Sequence, residues 1–160
     1  MRILIVSDTH RKNDLYVALC QKYAPLDMVI HCGDIEGSEY IISEAAGCPV
    51  KMVSGNNDFF SDTKRDEEFY IGKYKVWLTH GHHYYVSMGS EIIKDEARSR
   101  GIDILMYGHT HRPVIDYESN LVTLNPGSLT YPRQEGRKPS YIIMEIDNNG
   151  EAHFELKYTY

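Results

Sequence analysis

Ile3-Leu4-Ile5-Val6-Ser7-Asp8-Thr9-His10 runs through four apolar residues and breaks into a polar cluster. A continuous apolar run rich in β-branched residues reads as a parallel strand covered on both faces, so Asp8 and His10 stand at its C-terminal end. Beyond Asn13, Leu15, Ala18, Leu19 and Tyr23 recur at helical spacing, and Pro25 ends the helix. Met28-Val29-Ile30 then starts a second strand that delivers Gly33-Asp34. Ser38 is placed to cap a helix carrying Ile41, Ile42, Ala45 and Ala46, with Gly47 at the left-handed position after it. A third strand, Val50 to Val53, runs into Gly55-Asn56-Asn57-Asp58.

The second half is richer in strands. Residues 59–66 read as a polar loop. Phe69–Ile71 and Tyr74–Leu78 flank Gly72-Lys73 as a hairpin ending at Thr79-His80-Gly81. A helix from about Gly89 to Arg100 is closed by Gly101, and Ile104-Leu105-Met106 leads to Gly108-His109-Thr110-His111. Two hairpins follow, turning at Ser119-Asn120 and at Asn148-Asn149-Gly150. A βαβαβ half joined to a β-rich half predicts an α/β fold of two packed sheets covered by helices. No repeat or linker divides residues 1–160, so one domain is expected.

Composition narrows the function. Hydrophobic residues at 42 % and charged ones at 25 % describe a globule, which excludes a disordered or coiled-coil chain. Seventeen Lys and Arg against 23 Asp and Glu leave a net charge of −6, so no extended nucleic-acid track is expected. Cys20, Cys32 and Cys48 contain no CxxC pair and read as buried, reduced thiols. No stretch approaches the roughly 18 apolar residues of a membrane span, and the cytoplasm is the expected compartment.

Five strand ends therefore carry polar, metal-competent residues, and ligand sites in open α/β sheets lie at such ends. Together they offer two Asp carboxylates, an Asn amide oxygen and at least four imidazoles without a thiolate. That set suits Mn, Fe, Zn or Ni, and two ions would be needed to use all of it. His31, inside the second strand, and His153, in the last hairpin, read as structural. Tyr84, Tyr85 and Tyr131 read as packing residues, with base stacking as their other use.

In order, these segments match D-x-H, G-D, G-N-x-[DE], H-G and G-H-x-H, and the chain resembles the calcineurin-like metallophosphoesterases. It is similar in particular to the small YfcE-type phosphodiesterases, sharing Asn125-Pro126-Gly127-Ser128 and the pair Pro132-Arg133. The resemblance implies a four-layer αββα sandwich of two mixed β-sheets flanked by helices. It also implies two divalent ions, manganese first, with iron, zinc or nickel as alternatives. Asp8, His10 and His111 would hold one ion, Asn56, His80 and His109 the other, and Asp34 would bridge them. Asp58 would brace the loop through hydrogen bonds.

The implied activity is hydrolysis of small or nucleotide-like phosphodiesters by a hydroxide bridging ions about 3.5–4 Å apart. Many members of the superfamily place His after the G-N pair, whereas this chain has Asn57, which has no titratable proton. A missing general acid costs about 10²–10⁴ in rate, so leaving groups that need no proton are favoured unless His82 or water substitutes. Arg11 is the candidate for gripping a substrate phosphate. The alternatives are a phosphomonoesterase, a dinucleoside-polyphosphate hydrolase, or a non-catalytic scaffold like the retromer subunit of this fold. Similar proteins self-associate, which leaves a homo-oligomer open, and nothing in the sequence sets its number.

Overall fold

The computed structural model describes residues 1–159. The opening apolar run forms β1 (Arg2–Val6), in which Ile3, Leu4, Ile5 and Val6 are fully buried. It pairs in parallel with β2 (Met28–His31) and antiparallel with β9 (Ser140–Ile146). With β3 (Val50–Met52) and β10 (Ala152–Tyr158) these make a first sheet ordered β10-β9-β1-β2-β3. The second contains β4 (Asp66–Ile71), β5 (Tyr74–Thr79), β6 (Ile104–Met106), β7 (Val114–Glu118) and β8 (Leu121–Asn125), ordered β4-β5-β6-β8-β7.

Strand periodicity explains why β1 needs apolar residues throughout. Ile3 and Ile5 point between the sheets, against Val76, Leu78, Ile104 and Met106. Leu4 and Val6 point outward, against Tyr16 and Leu19 of α1 (Asp14–Tyr23) and Ile42 of α2 (Glu39–Ala46). Across the molecule, Trp77 and Leu105 are covered by Ile93 and Ala97 of α3 (Glu91–Ser99). The layers are thus helix, sheet, sheet, helix, as expected. Each fully buried aliphatic side chain contributes about 1.5–3 kcal/mol. The two mixed sheets are therefore clamped at the edge where β1, β2, β3, β5 and β6 end.

Some local details depart from expectation. Ser38 occupies the N-cap of α2, but its side chain makes no capping hydrogen bond; Gly47 does end that helix at φ 62°. The segment before α3 folds into two short 3₁₀ turns, His82–Tyr84 and Val86–Met88, which carried no periodic signal. Cys20 and Cys32 are buried thiols, whereas Cys48 is only half-buried because it lies in the exposed turn before β3. No helix among the described residues is long and apolar enough to cross a membrane.

Candidate metal centre

The strand ends turn sharply to aim their side chains along one edge. Asp8, His10, Asp34, His109 and His111 all have left-handed backbones, with φ of 54°, 46°, 59°, 69° and 56°. Such conformations cost non-glycine residues roughly 1–2 kcal/mol each, so neighbouring contacts must hold them. Asp58 supplies that hold for the Asp34 turn. Its carboxylate accepts hydrogen bonds from the backbone N–H groups of Asp34, Glu36 and Gly55 at 2.8, 2.6 and 2.7 Å, and from Ile35 at 3.0 Å. Gly55 is required here, because a Cβ at that position would collide with the Asp34 carboxylate.

Two groups of donor atoms result. One ligand atom from each of Asp8, His10, Asp34 and His111 lies within 4.8 Å of all the others. Asp8 Oδ1 is 3.0 Å from His111 Nε2 and 3.7 Å from His10 Nε2. In the second group, Asn56 Oδ1 is 3.0 Å from His80 Nε2 and 2.9 Å from His109 Nδ1. Asp34 Oδ2 stands between the groups, 3.4 Å from His80 Nε2 and 3.8 Å from His10 Nε2.

Hydrogen bonding fixes the tautomers in a way that asks for a cation. His80 Nδ1 is 2.7 Å from the Cys32 carbonyl, His111 Nδ1 is 2.7 Å from the Tyr131 carbonyl, and His10 Nδ1 is 2.7 Å from Glu36 Oε1. Carbonyls and carboxylates only accept, so each Nδ1 carries a hydrogen, and a ring that gives up its second proton presents an Nε2 lone pair inward. The His10 and His111 Nε2 atoms then face each other at 3.3 Å. Asp8 Oδ1, fully buried, has no hydrogen-bond partner at all. Lone pairs converging on an orphaned carboxylate oxygen form the donor set of a divalent-metal site.

The electrostatics agree. Burial alone would raise the Asp8 carboxyl, yet His80, His10 and His111 hold it well below the usual carboxylate range. Burial opposes charging His10, but Asp8, Glu36 and Asp34 push it up to about 9. His80 is likewise raised against its burial by Asp8 and Asp34, while burial and the His80 charge lower His109. The carboxylates select positive charge inside the cluster, from a proton or from a metal.

The remaining expected residues take varied positions. Asn57 is tied to Asp34, donating from its backbone N–H and its side chain, each at 2.9 Å. His82 lies beside His80 and His109 with a buried, unpartnered Nδ1, and burial lowers it to about 4. Arg11 Nε donates to the Glu36 carbonyl at 2.8 Å, leaving most of the guanidinium exposed. Tyr131 packs edge-on against His10, whereas Tyr84 packs on Trp77 and Tyr85 is exposed. His31 and His153 stay outside both groups, paired with Thr9 and Asp147. Glu36 is the residue that spacing did not reveal, since its contact with His10 joins segments 26 positions apart.

The family model of the calcineurin-like phosphoesterase superfamily domain matches residues 1–149. The chain is 31 % identical over 150 residues to YsnB of Bacillus subtilis, named a probable metallophosphoesterase, covering 93 % of this chain and 86 % of YsnB. It is 28 % identical over 130 residues to phosphodiesterase YfcE of Escherichia coli, covering 81 % of this chain and 65 % of YfcE. Vps29 of Entamoeba histolytica, solved with zinc, shares the fold at a TM-score of 0.78, with 23 % identity over 99 % of each chain. A family match over nearly the whole chain agrees with the layered fold, and the protein belongs to the calcineurin-like phosphoesterase superfamily.

Proposed function

We propose that this protein is a metal-dependent phosphodiesterase acting on small or nucleotide-like phosphodiesters, with the two sheets working as one catalytic domain in the cytoplasm. The observation that carries this reading is the orphaned Asp8 Oδ1, ringed by imidazole lone pairs at the sheet edge. Asp8, His10 and His111 would hold one divalent ion, Asn56, His80 and His109 a second, and Asp34 both, with manganese the first choice. When bound, two such ions supply Lewis acidity that activates water near neutral pH and neutralises phosphoryl oxygens.

The chain's own residues do the rest. Glu36 and the Cys32 and Tyr131 carbonyls fix the rings of His10, His80 and His111, so little reorganisation is needed on binding. Asn56 offers an amide oxygen, which adds no negative charge where an anionic substrate must approach. Asn57 holds Asp34 and has no proton to give a leaving group, so aryl or phosphate leaving groups are favoured over alkyl oxides. His82, which shares a cleft with Asn56, is the remaining candidate to supply a proton; burial lowers it to about 4, so its contribution as an acid should grow as pH falls. Arg11, only partly engaged by Glu36, is free to grip a substrate phosphate. The phosphodiesterase name of YfcE supports the diester reading, and the Vps29 likeness is one of fold that does not favour a scaffold.

The test strips the protein with EDTA and follows bis-p-nitrophenyl phosphate and p-nitrophenyl phosphate with and without added Mn²⁺. Activity restored by Mn²⁺, favouring the diester and lost in Asn56→Ala, is expected. Silence with every divalent metal would transfer the reading to a non-catalytic scaffold.

A further inference from the structure

Four of the eight arginines lie within 4 Å of an acidic side chain, Arg2, Arg98 and Arg100 closely and Arg11 loosely, its Nε 3.8 Å from Glu36 Oε2. Arg65, Arg112, Arg133 and Arg137 form no ion pair among the described residues, although acidic side chains outnumber basic ones by 23 to 17. Their placement is not scattered. Arg112, Arg133 and Arg137 line a single cavity of about 660 Å³ that His10, His111 and Tyr131 also line. Lys12 adds a further cation 4.8 Å above the Tyr131 ring. Arg65 borders a separate cleft beside Asn56.

Gathering like charges without counterions is unfavourable, and in an acidic chain such charges would ordinarily find carboxylates. Glu135, on the same loop as Arg133 and Arg137, does not pair with them. The backbone holds the cluster at the edge of the centre: the Arg133 N–H donates to the His111 carbonyl at 3.0 Å, and Arg112 directly follows His111. Three guanidiniums present up to fifteen N–H donors in fixed forks, a match for the terminal oxygens of a phosphate dianion. The cavity is also too local to track a nucleic-acid strand.

We infer that this cavity is a second anion subsite, which receives a phosphate group other than the one undergoing hydrolysis. The inference rests on the phosphodiesterase reading and sharpens it, because the preferred substrates become diesters that carry an additional phosphate monoester. Arg112, Arg133 and Arg137 are then specificity residues. They add binding energy through a remote charge and leave the reacting phosphoryl group to the donor cluster.

The test uses two chromogenic diesters that differ by one phosphate: thymidine 5′-(p-nitrophenyl phosphate) and the same compound phosphorylated at its 3′ oxygen. With Mn²⁺-loaded protein, the 3′-phosphorylated diester should show a KM lower by about tenfold or more. That ratio should fall to about one in the Arg112→Gln, Arg133→Gln, Arg137→Gln triple variant. Equal KM values in the unmodified protein, or a ratio that survives the triple substitution, would overturn the subsite. If the triple variant loses its circular-dichroism signature, Arg133→Gln and Arg137→Gln singly carry the test, each expected to lower the ratio part of the way.

Failure to turn over either diester with any metal would count against the phosphodiesterase reading alone. Calorimetric titration of thymidine 3′,5′-bisphosphate against thymidine 5′-phosphate then decides the subsite. A preference of about tenfold for the bisphosphate, absent from the variants, supports it. No preference overturns it.

Discussion

At their shared edge the first sheet presents Asp8, His10, Asp34 and Asn56, and the second presents His80, His109 and His111. Anionic and amide oxygens come mainly from one side, and imidazoles mainly from the other. Each set is nevertheless oriented by its opposite number. His80, after β5, is held by the carbonyl of Cys32, after β2. Asp8 accepts from the backbone N–H of His109 at 3.1 Å, and its own carbonyl accepts from Ser128 at 2.8 Å. Neither sheet could build the cluster by itself, so the inter-sheet core that includes Ile3, Ile5, Val76 and Leu78 sets the spacing on which the chemistry depends.

Several substitutions would break or sharpen that contrast. Asp34→Asn removes the carboxylate standing between the two groups; diester turnover should fall by roughly 10³-fold, the equivalent of several kcal/mol of electrostatic stabilisation. Steady-state kinetics at saturating Mn²⁺ checks it. Gly55→Ala drives a Cβ to 2.6 Å from the Asp34 backbone nitrogen and crowds the carboxylate that stands between the two groups. Denaturant unfolding should report a loss of about 2–3 kcal/mol. Glu36→Gln keeps the shape but weakens the partner of His10. Metal affinity on the Asp8, His10, His111 side should drop by about 10–100-fold while the other side is retained, giving two resolved steps in a titration.

His31 provides the contrast within one sheet. The Gly33 N–H donates to its Nδ1 at 3.2 Å, so Nε2 carries the hydrogen and donates to Thr9 Oγ1 at 3.0 Å. Both ring nitrogens are satisfied internally, unlike the inward lone pairs of His10, His80 and His111. Burial lowers His31 to about 3 from an ordinary value of 6.5. Between those values the unfolded chain binds the extra proton, so stability should decline as pH falls, by up to about 1.4 kcal/mol per unit. Urea unfolding of metal-free protein at pH 7 and pH 5, beside His31→Gln, measures this; equal pH slopes in the two proteins would reject the assignment.

Most of the edge was legible because strand ends are marked locally. An apolar run that stops at Ser7-Asp8 or at Thr79-His80 announces both the strand and the residue it delivers. The family pattern added the grouping of the seven donors and the bracing part of Asp58. What stayed hidden depends on chain segments meeting at a distance. Glu36 reaches His10, the Tyr131 carbonyl reaches His111, and the three unpaired arginines come from two loops, with no periodicity to connect them. The 3₁₀ turns after His80 were equally unmarked, since runs of three residues are too short to show a repeat.

The most direct test of the central claim is a metal count. Protein loaded with excess Mn²⁺, desalted and analysed by inductively coupled plasma mass spectrometry should hold two ions per chain, with Asp34→Asn holding fewer. A single ion per chain in the unmodified protein, or a count that Asp34→Asn leaves unchanged, would contradict a two-ion centre in which Asp34 joins the two donor groups.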